Sequence, residues 1–383
     1  MSAFEFATAN RIVFGAGKLS GLGDQLKGGV TRLLLVRGKS SDAIPRVRRI
    51  LTAQGILFEE FEVHGEPTVD VVREGVRATE GCDVVIGLGG GSVLDAGKAI
   101  SALATNRGDV MDYLEVVGKG QPLTEKPLTY IAIPTTAGTG TEVTRNAVLD
   151  VPEHGVKVSL RSQMMLPSLA IVDPELTYSL PPEITAASGL DALTQLIEPF
   201  VSVKANPMTD AVCREGLRHA AGSLRRAYRD GADTSAREGM SLASLFGGMA
   251  LANAALGAVH GFAGPLGGML HAPHGALCAK LLPLVMEANI RAMVDLHVGH
   301  DALDRYTEIA QILIGDKEAS AWDGVQWVAD LVNELSIPSL SAYGLNELHL
   351  SDAVQKTLNA SSYKGNPVPL SERDLREILE RAM

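Results

Sequence analysis

Apolar and polar positions alternate in two different ways along this chain. From residue 30 to residue 172, short apolar, β-branched runs are separated by amphipathic stretches. Leu33–Val36 reads as a buried strand, Ala43 to Gln54 as a helix with Gly55 past its end, and Leu57–Val63 as a second strand. Val69 to Thr79 is helical after Pro67, Val84–Ile86 is a third strand, and Val93 to about Ala104 is a helix. Thr129–Ile133, stopped by Pro134, and Ala170–Val172 are further strands. Continuous apolar strands alternating with helices predict a parallel sheet covered on both faces.

After Pro181-Pro182 the period becomes helical. Ile184–Val201, Thr209–Tyr228, Ala236–His260, Ala276–Ala288, Leu303–Ile314, Ala321–Leu335, Glu347–Leu358 and Glu372–Ala382 all read as helices. The boundary is placed near residue 180. Gly239–Ala279 holds no Asp, Glu, Lys or Arg, and Leu242–Val259 is long enough for a membrane span. It is mostly Ala, Gly, Ser and Asn, ends in His260 and lacks a Trp/Tyr belt or Lys/Arg-rich flank. The interior of a large helical domain is the better reading, and no membrane partner is expected.

The chain's 383 residues suffice for two domains with substantial cores. A formal charge of -11, from 34 basic and 45 acidic residues, argues against a nucleic-acid or anionic-membrane surface. Three cysteines, Cys82, Cys213 and Cys278, with no CxxC, point to a reducing compartment rather than a disulfide framework. Met1 to Asn10 shows no basic and apolar leader, so a cytoplasmic location is expected.

Candidate chemistry begins at Val84–Lys98, where a strand runs through Gly87, Gly89, Gly90 and Gly91 into a helix. Glycines let backbone N–H groups approach an anion, and the helix start adds unpaired donors and a positive dipole end. A diphosphate suits this loop, although its spacing is not GxGxxG. Ser92 and Asp95 stand at capping-box spacing. A second strand-end loop, Pro134–Glu142, offers Thr135, Thr136, Thr139 and Thr141 to a phosphate, ribose or carboxamide. A third, Arg37–Ser41, has Gly38 where an acidic residue usually takes the adenosine ribose. There Lys39, Ser40 and Ser41 suit a 2′-phosphate and favour NADP(H) over NAD(H).

In the helical half, His260, His271 and His274 fall between uncharged apolar segments, where buried imidazoles need partners. Asp191 and Gln195, at i and i+4, share a helix face. One carboxylate with two or three imidazoles is a candidate divalent-metal site, and a purely structural histidine pair is the alternative.

Phe4–Gly17, Gly87–Ile100, Ile133–Val148, Ile171–Ala192, Asn253–Leu282 and Lys364–Leu370 together resemble the iron-containing (group III) alcohol dehydrogenase family, in the same order. The resemblance implies an α/β dinucleotide-binding domain with a parallel sheet over 1–180. It implies an all-helical metal and substrate domain over 181–383, the two forming a dehydroquinate synthase-like fold with the active site in the cleft between. The implied reaction is reversible hydride transfer between an alcohol or aldehyde and NAD(P), in a homo-oligomer, dimer or larger. Gly89, Gly90, Gly91 and Ser92 match the family's pyrophosphate loop, Asp95 and Lys98 its following turn, and Thr135, Thr136 and Thr139 its cofactor loop. Leu176 matches a leucine near the nicotinamide ribose. Asp191, His260 and His274 match three of four ligands for Fe(II) or another divalent ion such as Zn(II), and His271 is the nearest candidate proton carrier.

Two positions depart from the family. Gln195 stands where a histidine ligand is usual, and Gly264 where a further histidine is frequent. A neutral amide oxygen is a poorer ligand than imidazole. Three readings stay open: weak metal binding through Asp191, Gln195, His260 and His274; a different metal; or metal-free catalysis by His260, His271 or His274. The charge-free stretch argues against a same-fold enzyme with a phosphate clamp. Thr139-Gly140-Thr141-Glu142 fits the alcohol dehydrogenases better than the maleylacetate reductases. A non-catalytic nucleotide-binding relict is the remaining alternative.

Overall fold

The computed structural model describes residues 3–39 and 41–383. The chain forms two compact units, Thr8–Leu180 and Pro181–Met383, the second joined by the start of the chain through Ala7. The Ala7 N–H donates to Asn253 Oδ1 (2.7 Å) and Asn253 Nδ2 donates back to the Ala7 carbonyl (2.9 Å). The α/β unit therefore starts at Thr8 rather than at the first residue.

Among the described residues this unit has strands β1 (Ile12–Phe14), β2 (Arg32–Arg37), β3 (Leu57–Glu62), β4 (Val84–Gly89), β5 (Thr129–Pro134), β6 (Asn146–Val151), β7 (Val156–Arg161) and β8 (Leu169–Val172). Its helices are α1 (Leu22–Gln25), α2 (Ala43–Ala53), α3 (Val69–Arg77), α4 (Gly91–Leu103) and α5 (Val110–Tyr113). Six strands form a parallel sheet in the order β1-β8-β5-β4-β2-β3. Side chains alternate across it. Leu33, Leu35, Ile86 and Ile131 pack with Val47 and Leu51 on one face, while Leu34, Val36, Val85 and Ala132 pack with Val72 and Ile100 on the other. Burial on both faces is why these strands read as unbroken apolar runs. The three-residue β1 and the antiparallel pair β6–β7 lie outside the elements expected from the pattern. Gly89 and Pro134 are in register, so the loops after β4 and β5 leave the sheet side by side.

The helical unit contains α6 (Pro182–Val201), α7 (Pro207–Arg229), α8 (Thr234–Ala254), α9 (Ala258–Leu270), α10 (His274–Leu296), α11 (His300–Ile314), α12 (Ala321–Glu334), α13 (Glu347–Asn359) and α14 (Glu372–Ala382). From Gly189 to Val201 every residue of α6 is buried, so this helix is the axis of the unit. Gly275 lets α10 meet it: a Cβ there would lie 2.4 Å from the Ala187 carbonyl oxygen.

The expected continuous helix Ala236–His260 is not formed. α8 stops at Ala254, α9 starts at Ala258, and the two are bent by 99°. Buried polar groups hold this break. The Ser202 hydroxyl donates to the Ala254 carbonyl (2.6 Å), Asn366 Oδ1 accepts the Ala258 N–H (3.1 Å), and Glu198 Oε1 accepts the Val259 N–H (2.7 Å). Ala255 takes a positive φ of 63°. Groups freed at the two helix ends thus find partners from distant segments, which an apolar sequence run does not reveal. Among the described residues no single helix is long and apolar enough to cross a membrane.

Gly365 closes against this break, where a Cβ would sit 2.0 Å from the Leu256 carbonyl oxygen. Gly365→Ala should therefore cost about 1–3 kcal/mol by overpacking. Denaturant unfolding measures it; an unchanged midpoint would show that the break is not tightly closed.

Candidate functional site

In the α/β unit, β4 ends at Gly89 and α4 begins at Gly91, with extended Gly90 as its N-cap and no side chain capping it. The expected Ser92–Asp95 capping box is absent, because the helix starts one residue before Ser92 and Asp95 is engaged elsewhere. The N-terminal donors of α4 are left without a side-chain cap, as an anion site requires. A Cβ at Gly91 would approach the Thr139 side chain to 2.6 Å, and one at Gly90 the Thr136 side chain to 3.3 Å. The glycines are what allow the two loops to touch. The Thr135 N–H donates to the Gly89 carbonyl (2.9 Å), joining them further.

Asp95 and Lys98 lie inside the unit, behind the loops. Lys98 is buried, and its Nζ donates to Thr141 O (2.7 Å), Thr141 Oγ1 (2.9 Å), Thr144 Oγ1 (3.0 Å) and Asn146 O (2.8 Å). Asp95 accepts the Thr141 hydroxyl and the Val148 N–H (3.0 Å). Together they pin the threonine loop and β6 to α4. Burial pulls the Lys98 pKa down to about 8, against the pull of Asp95 and Glu142. Glu142 is buried in the same place, and burial pushes its carboxyl up to about 7.

At the end of β2, Gly38 is half-buried, Lys39 is exposed and Ser41 is half-buried; Ser40 lies outside the described residues. The neighbouring carboxylates on β3 are neutralised by arginines. Arg37 donates to Glu60 (2.5 Å) and Glu62 (2.7 Å), and Arg48 and Arg37 hold the Glu60 carboxyl at about 2. Leu176 is buried in the core beside β8, in the short helix Pro174–Thr177.

In the helical unit, Asp191, His260, His274 and Cys278 each offer one donor atom, all within 4.8 Å of one another. Asp191 Oδ1 lies 3.5 Å from His260 Nε2 and 3.8 Å from His274 Nε2. Cys278 Sγ lies 3.8 Å from His260 Nε2 and 3.6 Å from His274 Nε2. Asp191 Oδ1 is buried with no hydrogen-bond partner. The break between α8 and α9 brings His260 in at the start of a helix, and Glu198 accepts its Nδ1–H (2.6 Å), leaving Nε2 for the cluster. Gln195 donates from Nε2 to Asp191 Oδ2 (3.0 Å), so it orients the carboxylate. His271 ends α9 with a positive φ of 50°, is exposed, and stands outside the four-donor group.

Burial alone would lower both histidine pKa values, but Cys278 and the acidic neighbours outweigh it. His260 is held well above its ordinary value and His274 at about 9. Burial would raise Asp191, yet the imidazoles keep it low. The cluster has the electrostatics of a place prepared for positive charge. Cys278 and Glu198 were missed in the sequence. The signal for Cys278 was its position one helical turn after His274.

The iron-containing alcohol dehydrogenase family matches residues 9–174, and the C-terminal part of that family matches residues 185–383. The chain belongs to the iron-containing alcohol dehydrogenase family. It is 36% identical over 367 residues to 4-hydroxybutyrate dehydrogenase of Cupriavidus necator, covering 93% of each. It is 34% identical over 395 residues to 1,3-propanediol dehydrogenase of Klebsiella pneumoniae, covering 99% of this chain and 98% of the other. A crystal structure of 1,3-propanediol oxidoreductase superposes with a TM-score of 0.90 at 33% identity, covering both chains fully. The chain is therefore an alcohol oxidoreductase with the fold expected from its sequence.

A carboxyl raised to about 7 by folding, as Glu142 is, contributes stability below its unfolded value of 4.5 and loses it as pH rises through 7. Glu142→Gln should flatten the fall in melting temperature between these limits, removing up to roughly 3 kcal/mol of pH dependence. Superimposable melting profiles of the two proteins would contradict the assignment.

Proposed function

We propose that this alcohol dehydrogenase is metal-assisted and prefers NADP(H), interconverting a small alcohol and its aldehyde. The unpartnered Asp191 oxygen amid two imidazoles and a thiol carries the metal reading: a buried anionic atom without a donor suits a cation. When bound there, a divalent ion supplies Lewis-acid stabilisation of charge on a substrate oxygen.

The chain's own residues do the rest. Asp191, His260 and His274 hold the ion, Glu198 fixes the His260 ring, and Gln195 orients Asp191. Gly89–Ser92 and the start of α4 take the cofactor diphosphate through backbone N–H groups. Thr135, Thr136 and Thr139 line the adjoining loop, while Asp95 and Lys98 position it from behind without touching the cofactor. Leu176 gives an apolar contact near the nicotinamide ribose. Gly38 leaves room at the adenosine ribose, and Lys39 with Ser40 and Ser41 pairs with a 2′-phosphate. Exposed His271 exchanges the reaction's proton with water. The three free cysteines support a reducing cytoplasmic setting, and we take the working form as a homo-oligomer.

Nicotinamide absorbance with a panel of aldehydes tests this. Turnover should appear with NADPH, fall on chelation and return with Zn(II) or Fe(II). Lys39→Ala should raise KM for NADPH about tenfold, the loss of one charge-assisted bond, and leave KM for NADH nearly unchanged. Cofactor binding without turnover would mark a nucleotide-binding relict, and chelator-insensitive turnover would remove the metal.

A further inference from the structure

We propose that the Cys278 thiolate, rather than the Gln195 amide, is the fourth ligand of this metal site, giving an Asp-His-His-Cys set that favours zinc. The inference rests on the metal-assisted reading above. Three observations carry it. First, the spacing fits. Tetrahedral donors about 2.0–2.3 Å from one ion stand roughly 3.3–3.8 Å apart. Four of the six separations, 3.5 and 3.8 Å from Asp191 Oδ1 and 3.8 and 3.6 Å from Cys278 Sγ, fall in that range, and all four donors lie within 4.8 Å of one another.

Second, Gln195 turns its amide nitrogen, which has no lone pair for a cation, to Asp191 Oδ2, while its Oε1 is buried without a hydrogen-bond partner and, as a neutral amide oxygen, is a weaker ligand than a thiolate. It is a positioning residue for the carboxylate. Third, Cys278 is fully buried and free, and its sulfur faces two ring nitrogens beside an unpartnered carboxylate oxygen. A cysteine buried merely as a small apolar group would need no such company. α10 supplies His274 and Cys278 four residues apart on one face, and Gly275 lets that turn close on α6, which carries Asp191.

Binding exchanges protons for the metal: the S–H bond and the Nε2–H bonds of the protonated imidazoles break, sulfur–metal and nitrogen–metal bonds form, and the protons pass to solvent with no change of oxidation state. A soft thiolate beside two imidazoles favours Zn(II) or Co(II) over Mn(II).

Co(II) titration of the metal-free full-length chain is the test, read by absorption. The wild type should develop a thiolate-to-cobalt charge-transfer band in the near ultraviolet together with tetrahedral visible bands, and Zn(II) should abolish both. Cys278→Ser should keep weak visible bands and lose the near-ultraviolet one, with Zn(II) affinity falling about 100-fold, at or beyond the upper end for a supporting group. Cys278→Asp should lower the Zn(II)-to-Mn(II) affinity ratio about tenfold, and Gln195→Ala should keep the near-ultraviolet band. Visible cobalt bands without the near-ultraviolet band in the wild type would leave the metal site standing and overturn the Cys278 assignment, whether or not the variants fold. Absence of any cobalt complex would overturn both.

Discussion

A carboxylate oxygen buried without a hydrogen-bond donor is an electrostatic demand, and Asp191 Oδ1 makes that demand at the centre of the helical unit. The surrounding architecture answers it. α6 is buried along its second half, Asp191 with it, and Gln195 occupies the other carboxylate oxygen. The break between α8 and α9 turns His260 toward it, and Glu198 fixes the α9 side of that break, accepting one bond from the Val259 N–H and one from the His260 imidazole. In the free protein, protons on the imidazoles stand in for a cation, which is why both histidines hold theirs above the ordinary range.

The α/β unit shows the opposite arrangement of the same physics. Lys98 is as buried as Asp191, but four oxygens surround its ammonium group. A satisfied buried charge builds scaffold: it fastens the threonine loop and leaves the glycine loop and the uncapped end of α4 as the groups with unspent hydrogen-bonding capacity. An unsatisfied buried charge builds a site. This difference separates Lys98, whose ammonium group is fully engaged within the unit, from Asp191, which we propose as a ligand.

Much of this was legible in the sequence. The central strands announced themselves because burial on both faces leaves apolar runs, and the glycine and threonine loops because each follows a strand end. The pair β6–β7 was hidden because apolar Val148 stands at a half-buried position of Asn146–Val151 and blurs the polar–apolar alternation that Asn146 and Asp150 keep. The break after Ala254 was hidden because its partners, Ser202, Glu198 and Asn366, are far away in the chain. Cys278 was hidden for a different reason. Its one sequence signal, a place one helical turn after His274, takes on meaning only when folding shows which atoms its sulfur faces.

The demand of the Asp191 oxygen is tested most directly by native mass spectrometry of the intact chain after equilibration with zinc and removal of excess. One zinc ion per chain, retained by the wild type and lost from Asp191→Asn, is the result this account predicts. A wild-type chain that stays at its bare mass, or an asparagine variant that holds zinc equally well, would contradict it.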